Sequence, residues 1–287
     1  MNSMDLAAPL RERTNAITEA VIEADYSRRP ELLARYGERG RSYYKRDNDY
    51  HLSFLAEAVA NEDSALFIDY VAWARSMLTS HGVLLEDLVN NLKLLKEAIQ
   101  YQVIDQETVA RAIEPIDLAL EQLPSIADAP PSFMSSELRN GDLAEEFLQL
   151  LLRADRRKAS ELVSRAVDNN VPLKQIYLDV FQRSQREIGR LWQLNQISVA
   201  EEHYCTAATL AIMNQFYPAI LKTPRRGTRA VCCCVEGDLH EIGLRILADF
   251  MELEGWDCDY VGANTPGLEL LKMLEKAPPD LIAISLR

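Results

Sequence analysis

No apolar run in the 287 residues is long enough to span a bilayer. The amino-terminal stretch MNSMDLAAPLRERT also has no apolar core of the kind a signal peptide needs. Cysteine is scarce: five residues, three of them adjacent, do not make a disulfide framework. Basic charge is in short supply too. Thirty-one Lys and Arg stand against 44 Asp and Glu, a formal charge of −13. That balance argues against a nucleic-acid-binding face and leaves room only for a local basic pocket. Hydrophobic residues, at 48%, are plentiful, and 26% of the chain is charged, a composition that supports sizeable cores in two or three domains. The expectation is a soluble, cytoplasmic chain.

The residue pattern divides the chain in four. Residues 1–123 read as helices throughout, with Leu66, Tyr70, Val71, Ala74, Met77 and Leu78 at helical spacing, and Leu84, Leu88, Leu92, Leu95 and Ile99 likewise. Asp105 followed by Thr108 marks a further helix start, which Pro115 is expected to kink or restart. No alternating strand pattern occurs here, so the domain is all-α. Residues 124–141 are rich in Pro, Ser and small residues and read as a linker. Residues 142–222 contain four helical stretches: two begin at Asp142 and near Asp155, Pro172 opens a long one to about Gln193, and Ser198 caps another reaching Phe216. Short turns between them give a four-helix bundle. From 226 to 287 the period changes to strand–helix alternation: strands Ala230–Val235, Cys258–Val261 and Leu281–Ser285, helices Leu239–Leu253 and Gly267–Glu275. Such alternation predicts right-handed βαβ units on a parallel sheet, with ligands at the carboxyl ends of the strands. Three strands make a small open sheet, and the sequence is expected to stop inside this domain.

At the end of the first of those strands stands Asp238-Leu239-His240-Glu241-Ile242-Gly243. A carboxylate two residues before a histidine can hold one imidazole nitrogen and leave the other for a metal, and Gly243 allows a bulky group close to the backbone. An isolated Asp-x-His-x-x-Gly is equally a surface loop with a capping Asp. Here, however, 41 residues separate Gly243 from Ser285 at the end of the third strand. The combination resembles the cobalamin-binding Rossmann-like domain, whose pattern is DxHxxG, a spacer of that length, SxL and a later GG pair. The resemblance implies that His240 is the lower axial cobalt ligand in place of the cofactor's own benzimidazole. It implies that Asp238 orients His240, and that Gly243 and Ser285 line the slot for the detached nucleotide tail. Arg287 stands where the family prefers Leu, and the GG pair would lie beyond it.

In the bundle, Trp192 is followed after nine residues by Glu202-His203. A helix-end Trp usually packs, and a Glu-His pair on a helix is usually solvated. Directly before a cobalamin-type domain, the spacing resembles the Wx9EH signature of cobalamin-dependent photoreceptors. That resemblance implies that Trp192 packs on a 5′-deoxyadenosyl group and Glu202 bonds its ribose. His203 would take the upper cobalt position after photolysis, giving a bis-His complex. It favours adenosylcobalamin over the open upper face of a methyl-carrying shuttle.

Photoreceptors of that type begin with a helix-turn-helix, and none is visible here. Instead, Tyr26, Tyr36, Tyr43, Tyr44 and Tyr50 are interleaved with Arg28, Arg29, Arg35, Arg39, Arg41, Lys45 and Arg46. Such a stretch can be a solvated face, a nucleic-acid clamp or the seat of a flat acidic chromophore, since Arg forks carboxylates and stacks on rings. The all-α length, the segment RDNDYHLSFLAEA and the adjoining cobalamin module resemble the photoglobins, globin-like domains that hold a linear tetrapyrrole. Fused to a cobalamin photoreceptor, this is the photocobilin architecture. It implies biliverdin or a similar bilin, with Tyr43, Arg46, Asp47, Asp49 and His51 as candidate contacts. The first Cys is Cys205, so a bilin in this domain is held non-covalently. Haem would need a proximal His, for which His51 and His81 are the candidates; His81, in TSHG, reads as a helix-end residue. Cys232, Cys233 and Cys234 alternate within a strand and cannot converge on one metal.

The sequence thus predicts a light-sensing signalling protein, not itself an enzyme, that binds adenosylcobalamin and a bilin. Its output would be a light-dependent change in self-association or in affinity for a downstream signalling partner, without direct nucleic-acid or membrane contact. A corrinoid methyl-transfer shuttle and a cobalamin sensor without photochemistry are the alternatives.

Overall fold

The computed structural model describes residues 6–286. The chain forms two compact units, Met1–Pro130 with Gln193–Asn195, and Pro131–Trp192 with Gln196–Arg287.

The first unit is helical: α1 (Ala8–Arg28), α2 (Glu31–Ala60), α3 (Ser64–Ser80), α4 (Leu85–Gln102) and α5 (Gln106–Gln122). Side-chain caps start two of them, with Asp63 accepting from the Ala65 amide at 3.0 Å and Asp105 from the Thr108 amide at 2.8 Å. Within α2 the helix breaks at Gly37, whose φ of 66° a residue with a Cβ rarely adopts. The core gathers Leu10, Ile17, Val21, Leu52, Leu55, Phe67, Val71, Leu92, Leu95, Ile99 and Ile116. Of the apolar residues at helical spacing, Leu66 and Leu84 are exposed. Phe67 begins the buried row Phe67-Tyr70-Val71-Ala74, about 100° round the helix from Leu66, while Leu84 is the residue before α4. Nor does Pro115 restart α5, which runs on to Gln122 with Pro115 on its buried face, where packing outweighs the one lost backbone bond.

No helix or strand lies between residues 126 and 140, where the second unit begins. Then come α6 (Gly141–Leu152), α7 (Arg156–Asp168), a near-continuous rod of α8 (Leu173–Gln175), a π-helical stretch (Ile176–Gln182) and α9 (Arg183–Gln193), then α10 (Val199–Asn214) and a short α11 (Tyr217–Ile220). A capping box sets the start of α10: the Glu201 amide donates to Ser198 Oγ, and Glu201 Oε2 accepts from the Ser198 amide. After the bundle, β1 (Arg229–Val235), α12 (Ile242–Leu253), β2 (Asp257–Thr265), α13 (Gly267–Lys276) and β3 (Leu281–Ser285) form a parallel sheet of order β2-β1-β3. β1, β3 and α13 lie within one residue of their expected bounds, whereas the strand expected over Cys258–Val261 is corrected: β2 runs on to Thr265. The expected start of the preceding helix at Leu239 is corrected to Ile242, because residues 236–241 are drawn into a hydrogen-bonded loop.

The bundle core of Phe147, Leu151, Tyr177, Phe181, Ile212 and Phe216 takes in Ile246 from α12, so the helical and α/β parts share one interior. On the sheet, Cys232 and Cys234 pack against Leu244 and Ala248 of α12, while Cys233 is buried outside that cluster. All five cysteines are free. Among the described residues no helix is long and apolar enough to cross a membrane.

Candidate functional site

At the carboxyl end of β1 the chain turns through Gly237, whose φ of 88° requires glycine-like freedom, into the His240 loop. Asp238 Oδ1 accepts two bonds at 2.9 Å, from the His240 amide and from His240 Nδ1. The carboxylate can only accept, so in the neutral ring the proton sits on Nδ1 and Nε2 carries the lone pair. The Asp238 side chain is 4% exposed and that of His240 61%, a buried anchor beneath an open imidazole.

The register of the sheet brings Ser285 into this neighbourhood, because Cys234 of β1 pairs with Ser285 of β3 and Cys234 Sγ reaches the His240 carbonyl. Gly243, in the first turn of α12, is exposed, and a Cβ built there would meet nothing within 4 Å. Two residues outside the sequence motif fasten the loop to β2. Asn264 Oδ1 accepts from the Gly237 amide at 2.7 Å, and the Asn264 amide donates to the Asp238 carbonyl at 2.9 Å. The Tyr260 hydroxyl donates to Glu241 Oε2 at 2.7 Å. Two irregularities in the β1–β2 register fall in this stretch, as bulges often do beside functional loops. Only the turn chemistry of Asn264-Thr-Pro-Gly hinted at it.

Trp192 is half-buried in the last turn of α9. On the first turns of α10, His203 Nδ1 lies 2.5 Å from Glu202 Oε2, and Glu202 Oε1 accepts from Thr206 at 3.0 Å. The His203 side chain is 74% exposed. By the same acceptor argument its Nε2 is the free nitrogen. Two imidazoles in this unit are thus each held at Nδ1 by a nearby carboxylate and each offer Nε2.

In the first unit the expected chromophore contacts separate into three groups. Tyr43 and Arg46 pair with each other, the guanidinium 5.0 Å from the ring centre, with Tyr43 exposed. Asp49 turns toward α1, where Thr18 Oγ1 donates to it at 2.9 Å and Lys45 stands 4.0 Å away. Asp47 and His51, one turn apart on α2, form the third group. His51 is buried with Nδ1 2.7 Å from the Tyr70 hydroxyl, and burial pulls its pKa down to about 4, so it is neutral. Burial pushes the Asp47 carboxyl up to about 6. Tyr70 stacks on Phe54, centroids 4.1 Å apart, and leans on Trp73 at 6.2 Å. Phe54 and Trp73 both remain exposed. His81 caps α3, its Nδ1 2.9 Å from the Met77 carbonyl.

The donor set fits a corrinoid: a corrin surrounds its metal with four nitrogens of its own and asks the protein for one imidazole from below, held by a carboxylate, with space beside it. Asp238, His240 and the open backbone at Gly243 supply that. Comparison with known proteins agrees. Residues 143–217 and residues 228–287 each match a family described as B12 binding domain. The HTH-type transcriptional repressor CarA of Myxococcus xanthus is 27% identical over 195 residues, covering 67% of this chain and 66% of the repressor. The match therefore spans just under two thirds of that protein's length. Among solved structures, the Methanosarcina barkeri monomethylamine corrinoid protein aligns at 16% identity over 51% of this chain and 70% of its own, with a TM-score of 0.46. A cobalamin-binding protein of Desulfitobacterium hafniense DCB-2 aligns at 21% identity over 50% of this chain and 68% of its own, with a TM-score of 0.29. The two matched regions make up most of the second unit, and they support a cobalamin-binding protein.

Proposed function

We propose that this chain is a light-sensing signalling protein whose second unit binds adenosylcobalamin and whose first unit, a globin-like domain, binds a linear tetrapyrrole such as biliverdin. The observation that carries the reading is the pair of carboxylate-held imidazoles, His240 on Asp238 and His203 on Glu202, each with Nε2 available. A methyl shuttle has use for the lower one alone. Bound adenosylcobalamin would supply a light-labile cobalt–carbon bond. His240 would hold the metal from below, Gly243 and Ser285 would line the tail slot, Trp192 would shield the adenosyl group, and Glu202 would bond its ribose. His203 would be the imidazole at hand once that group leaves. A regulatory output is supported by the match to a transcriptional repressor. With no adenosyl group between bundle and sheet, the docking it favoured loses its support, and self-association or partner affinity changes.

In the first unit, neutral His51, the raised carboxyl of Asp47 and the exposed rings of Phe54 and Trp73 combine polar groups with flat apolar faces, which suits the pyrrole nitrogens and rings of a bilin. Tyr43 with Arg46, and Asp49, would serve at its edges or not at all.

The test is the absorption spectrum of the protein with adenosylcobalamin and biliverdin, before and after green and red light without oxygen. Two bound chromophore bands, and a green-light shift to a stable spectrum that His203→Ala abolishes, are expected. Cobalamin binding without a bilin band would remove the second chromophore. A light-insensitive protein that prefers methylcobalamin would replace the reading with the methyl-transfer shuttle.

A further inference from the structure

Beside the His240 loop runs a chain of polar contacts that neither the cofactor nor the fold explains. It starts one residue after His240, at Glu241, whose carboxylate takes the Tyr260 hydroxyl at 2.7 Å. The Tyr260 ring lies under the Arg245 guanidinium, 5.2 Å from its centre, while Tyr217 at the end of the bundle stands 5.3 Å from the same guanidinium. Arg245 Nε donates to Asp249 Oδ1 at 2.9 Å, and Asp249 Oδ2 accepts from the Tyr177 hydroxyl at 2.7 Å. Tyr177 is wholly buried and belongs to the π-helical stretch Ile176–Gln182. A carboxylate as buried as Asp249, at 2% exposure, is tolerated only while its partners stay in place, so the contacts on its two oxygens stand or fall together. A π-helical turn is also a rare segment, found mostly at functional sites, with a ready alternative in ordinary α-helix.

We propose that Tyr177 is a positioning residue for the His240 loop, acting through Asp249, Arg245, Tyr260 and Glu241, so that the π-helical turn of the bundle and the lower-ligand loop change state together. Arg245 is the joint: one guanidinium serves the sheet through Tyr260, the bundle through Tyr217 and α12 through Asp249. Movement of the loop when a ligand occupies or leaves Nε2 shifts Glu241 and Tyr260, reorients Arg245 and withdraws a donor from Asp249. Tyr177 then loses its acceptor. By reciprocity, removing the Tyr177 hydroxyl loosens the loop even with no cofactor present. The cofactor-dependent half of this inference rests on the cobalamin reading; the other half does not.

The experiment is hydrogen exchange by mass spectrometry on the full chain, comparing peptides covering 176–182 and 237–243 in wild type, Tyr177→Phe and Arg245→Lys. Tyr204→Phe serves as control, since its hydroxyl bonds the Ala154 carbonyl outside this chain of contacts. Without cofactor, Tyr177→Phe and Arg245→Lys are expected to speed exchange in 237–243 about fivefold, and Tyr204→Phe to leave it unchanged. With cobalamin, wild type is expected to slow exchange in both peptides, whereas Tyr177→Phe keeps the bound spectrum and the protection of 237–243 but loses about tenfold of it in 176–182. Unchanged exchange in 237–243 for both variants without cofactor overturns the coupling. So does equal protection of 176–182 by cobalamin in wild type and Tyr177→Phe. A wild type with no cobalamin spectrum removes the cofactor reading while the comparison without cofactor still decides the coupling. Arg245→Lys keeps the charge and loses the flat stacking surface, so it decides the case if Tyr177→Phe does not fold.

Discussion

Asp25 of the first unit and Asp238 of the second are buried to opposite ends. In the first, Asp25 is wholly buried and takes two bonds from Arg29, at 2.7 and 2.6 Å, one from Tyr44 at 2.6 Å and one from Asn90 at 2.9 Å. Arg29 also reaches Asp87, which Arg35 and Tyr36 share. Every oxygen is satisfied by the protein, and nothing is left for a ligand. In the second unit, Asp238 is equally deep but spends Oδ1 on a histidine whose other nitrogen faces outward. A closed polar centre holds helices together; an open one presents a group. The first unit also contains an intermediate case, half-buried Asp47 with buried His51 and Tyr70, where exposed aromatic rings adjoin the polar groups.

The sharpest test of that contrast removes each carboxylate in turn. Asp25→Ala leaves Arg29 half-buried with one of its two carboxylates missing and strands the Tyr44 hydroxyl and the Asn90 amide. It is expected to lower stability by about 3–5 kcal/mol in urea unfolding, with cobalamin affinity unaltered. Asp238→Ala should do the reverse. Its stability cost is expected to be about 1 kcal/mol, whereas cobalamin affinity by spectral titration falls about 10–100-fold, the usual consequence of losing the group that orients a metal-binding histidine. Equal stability losses in the two variants would erase the distinction between closed and open centres.

How legible these regions are in the sequence follows from the same contrast. Asp238 and His240 are two residues apart, Glu202 and His203 adjacent, and the turn from β1 to α12 is local, so a short motif carries the site. Ser285 is far away in sequence, but parallel pairing with β1 fixes its place through strand register, which alternation of strand and helix discloses. Asp25 meets Asn90 across 65 positions and Arg29 meets Asp87 across 58, through helix packing that no periodicity specifies. Hence the first unit's helices could be read and its polar centre could not. Asn264 and Tyr260, which hold the His240 loop from β2, are equally hard to read from sequence: Asn264 falls in the second of two register shifts, which leave little trace there, and the Tyr260–Glu241 contact joins positions 19 apart through tertiary packing. Asp49 lies only two residues from Asp47 in sequence, yet two residues along a helix is about a 200° rotation, and it faces α1 instead.

The intermediate case can be probed by pH. Burial lifts the Asp47 carboxyl to about 6, above its unfolded value of about 4, so between those pH values the folded chain holds a proton that the unfolded chain has lost. Stability from this group therefore falls as pH rises from about 4 to 6. His51 works the other way. Its folded pKa of about 4 lies below the unfolded value of about 6.5, so the unfolded chain gains a proton first, and stability falls as pH drops from about 6.5 to 4. Each slope is worth on the order of 2 kcal/mol across its window, and the two largely cancel. Wild type is expected to unfold at nearly the same urea concentration throughout pH 4–6.5. Asp47→Asn should expose the His51 slope, with stability rising with pH, and His51→Gln the opposite one. Parallel pH profiles in all three proteins would show that the pair is not buried as a unit.

The smallest expected effect distinguishes space kept for folding from space kept for a ligand. Gly243 has no neighbour within 4 Å of a built Cβ and lies inside α12, where alanine is the better helix former. If packing were the reason for glycine, Gly243→Ala would cost stability. The open surroundings instead require that Gly243→Ala be neutral or stabilising by up to about 1 kcal/mol, and that Gly243→Val also fold. If Gly243 lines the proposed tail slot, the cost should appear only in cobalamin titration, small for alanine and larger for valine, because each added carbon would occupy that space. An affinity that ignores both side chains would move the cofactor's tail away from the start of α12, leaving His240 as a ligand whose neighbouring glycine serves the helix alone.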